Sequence, residues 1–263
     1  MTTRVLINAL SPLPSACFAI RVENLSASPH AHKQKECISR RPLIHIKIVI
    51  SELQLWEDPA PRTAAGQMAT DEAVLLSAEI PVLRLYRWAA PAVTFGYAQK
   101  YSEVLRISGP LPAIRRWTGG GTVFHGQDLT LSLSVPEPHP LCRMRPKEIY
   151  QKLHEALLKL VVKTQPGSRL AVEADCRPGS ACFQSPALND ILCGGRKIGG
   201  GALRRGKRGV LYQGSLHGSF PSAGLAESLA SAVTCFEPMS GLPALCESLE
   251  QGKYGTFAWN QMR

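Results

Sequence analysis

The chain has 263 residues, of which 44% are hydrophobic and 19% charged, and it is long enough to bury a sizeable core as an ordinary globular protein does. Its 30 Lys and Arg against 20 Asp and Glu give a formal net charge of +10, which indicates an acidic partner: nucleic acid, a membrane surface or an acidic protein. No run approaches the roughly 18 apolar residues of a membrane-spanning helix, so the sequence predicts no such helix.

The N-terminal segment differs in charge from the rest of the chain. Up to residue 50 there are seven cations against Glu23 and Glu36, about half of the total excess: Arg4, Arg21, Lys33, Lys35, Arg40, Arg41 and Lys47. Such an acid-poor segment with Arg and Ser resembles a transit peptide, and the alternative is a disordered tail or an upstream extension. We expect a disordered extension over residues 1–46 and a single domain over residues 47–263.

The predicted elements alternate irregularly between helix and strand. In chain order they are a helix over 66–79, strands over 82–88, 92–98 and 129–135, a helix over 146–164, strands near 190–195, 196–205 and 209–216, and helical stretches near 222–234 and 242–251. A doubly wound sheet would alternate regularly, so the pattern favours an α+β domain with a mixed sheet flanked by helices.

The first motif is RRWTGGGTVFH, from Arg115 to His125. Three successive glycines are costly in a strand, so they indicate either a close approach of backbone N–H groups to a ligand or a tight hairpin turn. The second motif, GRKIGGGALRRG, carries another glycine triplet beside Lys197. It contains a near match to a phosphate-binding loop, but Arg208 replaces the required Ser or Thr, so we reject that interpretation.

The third motif is SACFQSP, which contains Cys182. The eight cysteines are scattered without a CxxC pair, which predicts no zinc site, no redox dithiol and no metal, and favours a reducing, cytoplasmic location. A lone cysteine is more often a small buried hydrophobe than a nucleophile, and Cys193, Cys235 and Cys246 receive that interpretation. Among the histidines only His125 lies beside a candidate site.

Taken in order, these blocks resemble the lipoate–protein ligase and octanoyltransferase family, whose catalytic domain is shared with biotin–protein ligase. MATDEAVL, LRLYRWAAPAVTFGYAQ, RRWTGGGTVFH, GRKIGGGALRR with VLYQGSL, and KYGTFAWN each resemble a family block at matching spacing. The resemblance covers most of residues 53–263 and implies the family's class II synthetase-like fold.

The family contains two activities that share the glycine loop and the lysine. Octanoyltransferases take the acyl group from acyl carrier protein through a cysteine thioester, whereas ligases use ATP and Mg to make lipoyl-AMP from free lipoate. SACFQSP resembles the stand-alone cysteine octanoyltransferases, which need no cofactor. Asn189–Asp190 and Gly121 resemble the ligases, and Gln213 stands where both groups usually carry histidine. We expect the transferase and keep the ligase as the alternative.

The resemblance implies the roles of individual residues and the partners. Cys182 and Lys197 are expected to be catalytic, and a second set to bind substrate: Arg115, Arg116, Thr118, Gly119, Gly120, Gly121, His125, Asn189, Asp190, Gly199, Gly201 and Gln213. The expected acceptors are lipoyl domains of 2-oxoacid dehydrogenases or the glycine cleavage H protein. A nucleic-acid-binding protein is disfavoured, since no helix-turn-helix and no aromatic–basic interleaving is present. Biotin–protein ligase lacks support because its GRGRxGR-type loop is absent.

Overall fold

The computed structural model describes residues 50–176 and 185–262, which belong to one compact unit, Ile46–Arg263. The expected extension, residues 1–46, lies outside the described residues. The strands are β1 (Ile50–Asp58), β2 (Val82–Tyr86), β3 (Ala92–Phe95), β4 (Ala113–Arg115), β5 (Val123–His125), β6 (Leu129–Pro136), β7 (Arg169–Leu170), β8 (Ile191–Cys193), β9 (Arg196–Gly206), β10 (Gly209–Leu216) and β11 (Ala230–Cys235). The helices are α1 (Ala64–Ser77), α2 (Tyr101–Ser108), α3 (Pro146–Thr164), α4 (Ser222–Leu229), α5 (Leu242–Leu249) and α6 (Phe257–Asn260).

Within the described residues the strands form two sheets. The larger sheet has eight strands in the order β11-β1-β2-β6-β10-β9-β8-β7, and the smaller has three in the order β4-β3-β5. The pairs β11–β1 and β1–β2 are parallel and the other pairs of the larger sheet are antiparallel. The fold is therefore α+β with a mixed sheet flanked by helices, as the sequence predicts.

Strand β6 shows how the two faces of the large sheet differ. Its alternating sequence predicts one buried and one solvated face, but all eight residues are buried. Leu131 and Leu133 join the apolar core with α3 on one face. On the other face, Ser132 donates a hydrogen bond to Asp71 of α1 at 2.7 Å. The polar side of β6 is thus covered by α1 and lines a polar interior, where the candidate site lies.

Two predicted elements have the observed bounds, others differ by about one to three residues at an end, and one is wrong in part. Helix α3 and strand β10 have the predicted bounds, and the rejected phosphate-loop match lies in β9 and its turn into β10, with no helix after it. The helical prediction over 222–234 is wrong beyond Leu229. Residues Ala230–Cys235 instead form β11, because they complete the edge of the sheet by pairing in parallel with β1. Elements β1, β4, β5, β7, α2 and α6 were not predicted.

Candidate active site

The central feature of the site is a buried ion pair between Lys197 of β9 and Asp190. Lys197 Nζ lies 2.7 Å from Asp190 Oδ2, and their side chains are 2% and 0% exposed. Asp190 also accepts a hydrogen bond from the Ala187 N–H at 2.6 Å and another from the Tyr150 hydroxyl of α3. A buried ammonium needs such a fully bonded counterion, so Asp190 fixes the position of the Lys197 charge.

His154 of α3 forms a hydrogen bond with the turn that carries Asp190, and the sequence did not indicate this role for it. Asn189 has a φ of 69°, in the left-handed region that asparagine tolerates. Its carbonyl accepts from His154 Nδ1 at 2.7 Å, and His154 Nε2 accepts from the Tyr212 hydroxyl at 2.7 Å. Burial lowers the pKa of His154 to about 4, so the ring is neutral and can hold both bonds. The only sequence signal was the helical position of His154 on the buried side of α3.

The glycines of β9 leave space for neighbouring side chains of the protein itself. A Cβ on Gly201 would lie 2.5 Å from the Tyr212 hydroxyl, and one on Gly199 would lie 2.6 Å from a methyl of Leu216. A Cβ on Gly200 would meet Lys197 Nζ at 2.7 Å. The triplet therefore lets the lysine and the tyrosine pack against bare backbone.

The other glycine triplet forms a loop between β4 and β5. These two strands pair with opposite sides of β3 and not with each other, so the hairpin interpretation is wrong. A Cβ on Gly96 would lie 1.9 Å from the Gly120 carbonyl oxygen, which shows how tightly the loop packs on the backbone after β3. Arg116 Nη2 donates to the carbonyls of Gly119 and Gly121, both at 2.9 Å. Arg116 thus holds the loop from inside.

Arg115 points away from the pocket. Its side chain is fully buried and donates to four backbone carbonyls, those of Tyr97 and Gln99 at 2.7 Å, Asn260 at 2.9 Å and Trp259 at 3.2 Å. These bonds tie the closing segment around α6 to β4. The structure therefore places Arg115 as a link between chain segments.

His125 belongs to a hydrogen-bonded chain that ends at Asp128, a residue that the sequence did not single out. Arg116 Nη1 donates to Thr94 Oγ1 at 2.8 Å, and Thr94 Oγ1 lies 2.8 Å from His125 Nε2. His125 Nδ1 lies 2.9 Å from Asp128 Oδ2. Burial lowers the pKa of His125, and the His125 and Ser215 hydrogen bonds, among others, hold the pKa of Asp128 well below its usual range. The imidazole is therefore neutral, with its proton on Nδ1.

Gln213 of β10 connects the glycine loop to α1. Thr118 Oγ1 donates to Gln213 Oε1 at 2.7 Å, and Gln213 Nε2 donates to Asp71 Oδ2 at 2.7 Å. Asp71 is itself fixed by Arg84 Nη1 at 2.6 Å. The glutamine amide can donate and accept at once, which lets it bridge a hydroxyl and a carboxylate.

These elements enclose a pocket with an apolar wall and a polar end. Its apolar wall comes from Met68, Tyr86, Trp88, Val123 and Ala202. The predicted site residues that line it are Arg116, Gly120, His125, Lys197, Gly201 and Gln213. The other predicted site residues that the structure describes do not line the pocket: Arg115, Thr118, Gly119, Gly121, Asn189, Asp190 and Gly199. Such a pocket suits a ligand with an apolar chain and a polar reacting group.

Lys197 also lines a second cavity on the side of β8. Cys193, Arg196, His217 and Pro186 contribute to its wall. Cys182 lies outside the described residues, and Pro186 is four residues further along the chain.

Within residues 50–176 and 185–262 no group of His, Cys, Asp and Glu could hold a metal ion. No helix in that same part of the chain is long and apolar enough to cross a bilayer.

Comparison with known proteins identifies the sequence family. The family model for the lipoyl protein ligase A/B catalytic domain matches residues 63–238. Octanoyltransferase LipM of Oceanobacillus iheyensis is 35% identical over 176 residues, which is 61% of this chain and 61% of that protein. The LipM of Staphylococcus aureus is 32% identical over 167 residues, 57% of this chain and 60% of that protein. The chain therefore spans about three fifths of the length of these relatives.

Solved structures show the same fold at low sequence identity. A lipoate-protein ligase A bound with ATP superimposes with a TM-score of 0.62 at 21% identity, covering 80% of this chain and 98% of that one. A bi-partite lipoate protein ligase from Thermoplasma acidophilum, described together with its E2 lipoyl domain, gives 0.57 at 20% identity and covers 80% and 96%. At these identities the likeness concerns the fold.

Proposed function

The chain belongs to the lipoyl protein ligase A/B catalytic-domain family, and on that premise we propose that it transfers an octanoyl or lipoyl group to a lysine of lipoyl domains. The acceptors are lipoyl domains of 2-oxoacid dehydrogenases or the glycine cleavage H protein, and the donor is acyl carrier protein. The observation that carries the proposal is the position of Lys197. It is a buried cation at the polar end of a pocket that also has an apolar wall.

The reaction proceeds in two steps through Cys182. The thiolate of Cys182 attacks the thioester carbonyl and displaces the thiol of the carrier, leaving an acyl-enzyme thioester. The neutral amine of the acceptor lysine then attacks that thioester, and an amide forms as the Cys182 thiol departs. Lys197, held by Asp190, stabilises the negative oxygen that develops in both steps. Pro186 supports this assignment, since it follows Cys182 by four residues and lines a cavity with Lys197.

The apolar pocket supplies the binding of the acyl tail. Met68, Tyr86, Trp88 and Val123 are all buried side chains in its wall. Each methylene that leaves water contributes about 0.8 kcal/mol, so a chain of eight carbons gains enough to be bound from a dilute donor. The proposed location is cytoplasmic, because the scattered cysteines favour a reducing compartment. No nucleic acid and no membrane takes part.

One observation favours the ligase as a second candidate. Asn189 and Asp190 resemble the ligase motif, and in this chain they position Lys197. In that reaction ATP and Mg would activate free lipoate or octanoate as an acyl adenylate, and Lys197 would face the adenylate. The transferase needs no cofactor.

The deciding experiment measures the mass of the intact enzyme after mixing with octanoyl-acyl carrier protein. We expect one added octanoyl group that hydroxylamine removes, and none in Cys182→Ser. Cys193→Ser is the matched control, because Cys193 is the described cysteine that shares a cavity with Lys197. If Cys182→Ser is fully active and wild type needs ATP with free acid, the ligase replaces the transferase.

A further inference from the structure

A cluster of aromatic rings and cations lies beside the pocket. It consists of Tyr97, Trp117, Arg204, Lys253 and Trp259, all half-buried, and is called here the aromatic–cation cluster. The guanidinium carbon of Arg204 lies 4.3 Å from the Tyr97 ring centre and 4.8 Å from that of Trp117. Lys253 Nζ lies 4.3 Å from the Trp259 ring, which in turn contacts Tyr97 at 5.9 Å.

The cluster joins the pocket at two places. Ala202 lines the pocket, and Arg204 follows it by two residues on β9, so both side chains lie on the same face of the strand. Arg204 Nη1 donates to the Trp117 carbonyl at 3.1 Å, and Trp117 directly precedes Thr118 and the glycine loop. The guanidinium of Arg204 is therefore held next to the loop that closes the pocket.

The two cations of the cluster differ in their charge balance. Lys253 Nζ forms an ion pair with Glu72 at 2.6 Å. No carboxylate of the described residues pairs with Arg204. Stacking between two rings also fixes the guanidinium plane, so binding an anion costs little further side-chain entropy. A planar guanidinium with several N–H donors matches the oxygens of a phosphate group.

The two arginines expected to bind substrate use their N–H groups in hydrogen bonds within the protein. Arg115 donates to four backbone carbonyls, and Arg116 donates to Thr94 and to two carbonyls of the glycine loop. Their guanidinium N–H groups thus stabilise the fold. Arg204, by contrast, donates to one backbone carbonyl and pairs with no carboxylate of the described residues.

We propose that Arg204 binds a phosphate ester of the acyl donor, an inference that rests on the proposed function. Two classes of acyl donor contain such a phosphate group. One is the phosphodiester that links a carrier's pantetheine arm to its protein, and the other is the phosphate of a nucleotide or acyl adenylate. Arg204 sets the position of that phosphate, and the acyl chain then extends past Ala202 into the pocket.

The test compares two small thioesters that differ only in the phosphate: octanoyl-pantetheine and octanoyl-4′-phosphopantetheine. Wild type should acylate faster with the phosphorylated donor, by about tenfold in kcat/KM for a charge-assisted bond at a half-exposed position. Arg204→Gln should lose this preference, so that the ratio of its kcat/KM values for the two thioesters falls to about one. Arg204→Lys, which keeps the charge and loses the planar fork, should retain part of it. Thermal melting of each variant shows that it is folded.

Lys253→Gln is the matched control, because Lys253 lies in the same cluster but is paired with Glu72. It should keep the preference. Equal use of both thioesters by wild type, or a preference that survives in Arg204→Gln, would overturn the proposal. If neither thioester acylates the enzyme and ATP with free octanoate does, the transferase fails and the phosphate site is tested on its own. In that case Arg204→Gln should raise the KM for ATP about tenfold, and an unchanged KM would overturn the site.

Discussion

Lys197 Nζ and Asp190 Oδ2 lie 2.7 Å apart in a pair that solvent scarcely reaches, and yet Lys197 lines two cavities. The carboxylate is also bonded to the Ala187 N–H and the Tyr150 hydroxyl. This arrangement gives the lysine a fixed charge that can face a reacting carbonyl. It also makes the lysine part of the stability of the fold.

Lys197→Met should therefore have two separable effects. Acyl transfer should fall by about 10²–10³, as for the loss of one oxyanion donor. Stability should fall by about 3 kcal/mol, since Asp190 is left as an unpaired buried charge. The double variant Lys197→Met with Asp190→Asn should recover most of the stability in urea unfolding and none of the activity. Recovery of activity in the double variant would contradict the role of Lys197.

His154 should make the protein sensitive to acid. Its pKa falls from about 6.5 in the unfolded chain to about 4 in the fold. The unfolded state therefore binds more protons between these values, so the stabilisation is complete above pH 6.5 and is lost as the pH falls towards 4. The loss amounts to about 3 kcal/mol. His154→Gln should flatten the measured dependence of unfolding free energy on pH in this window, and an unchanged slope would refute the assignment.

Gly96 and Gly119 offer a matched pair for the glycine loop. Gly96→Ala places a Cβ against the Gly120 carbonyl, a backbone atom that cannot move aside without shifting the loop. Gly119→Ala meets no atom within 4 Å. The first change should lower both the melting temperature and the rate of acyl transfer, and the second should leave the melting temperature unchanged. Equal behaviour of the two variants would show that the loop is less tightly packed than described.

Arg115→Gln should destabilise the protein without altering substrate binding. The change removes charge-assisted bonds to buried carbonyls, including those of Trp259 and Asn260, at a cost of about 3 kcal/mol. The exposed Arg106 on α2 is the control, and Arg106→Gln should leave stability unchanged. A raised KM for the acyl donor together with wild-type stability would instead show that Arg115 binds substrate.

Deleting residues 1–46 should leave activity and melting temperature unchanged, because the family blocks begin only near Leu53. Extending the deletion through Asp58 should abolish folding, since it removes β1 from between β2 and β11. A large loss of activity in the shorter deletion would make the extension part of the enzyme.

The elements with a strong local pattern could be read from the sequence. Helix α3 has one clear apolar stripe, and β10 is a continuous buried strand, so local signals and tertiary packing agree there. Strand β11 could not be predicted from its local sequence, because it forms by pairing with β1, which lies near the other end of the domain in sequence. Helix α2 spans only 8 residues, which is shorter than the window of roughly 11–18 residues over which a helical period is recognised.

The sequence indicated part of the candidate site's membership and not its geometry. The sequence indicated Lys197, Arg116 and Gln213 as pocket residues, and the structure brings them together. It could not tell that Arg115 turns inwards, because adjacent strand residues face opposite sides and the sequence does not say which side is buried. Asp128 and His154 were missed because each has a partner distant along the chain: Ser215 donates to Asp128, and the Asn189 carbonyl accepts from His154.

The place of β1 between β2 and β11 also has a consequence for how the protein is made. Strand β1 belongs to the first described part of the chain, but its outer neighbour is complete only when Cys235 has been synthesised. Until then β1 presents an open row of backbone donors and acceptors, the feature that invites pairing with another chain. A chain truncated before Ala230 should therefore depend on chaperones and aggregate readily, because it lacks the strand that covers this edge of β1.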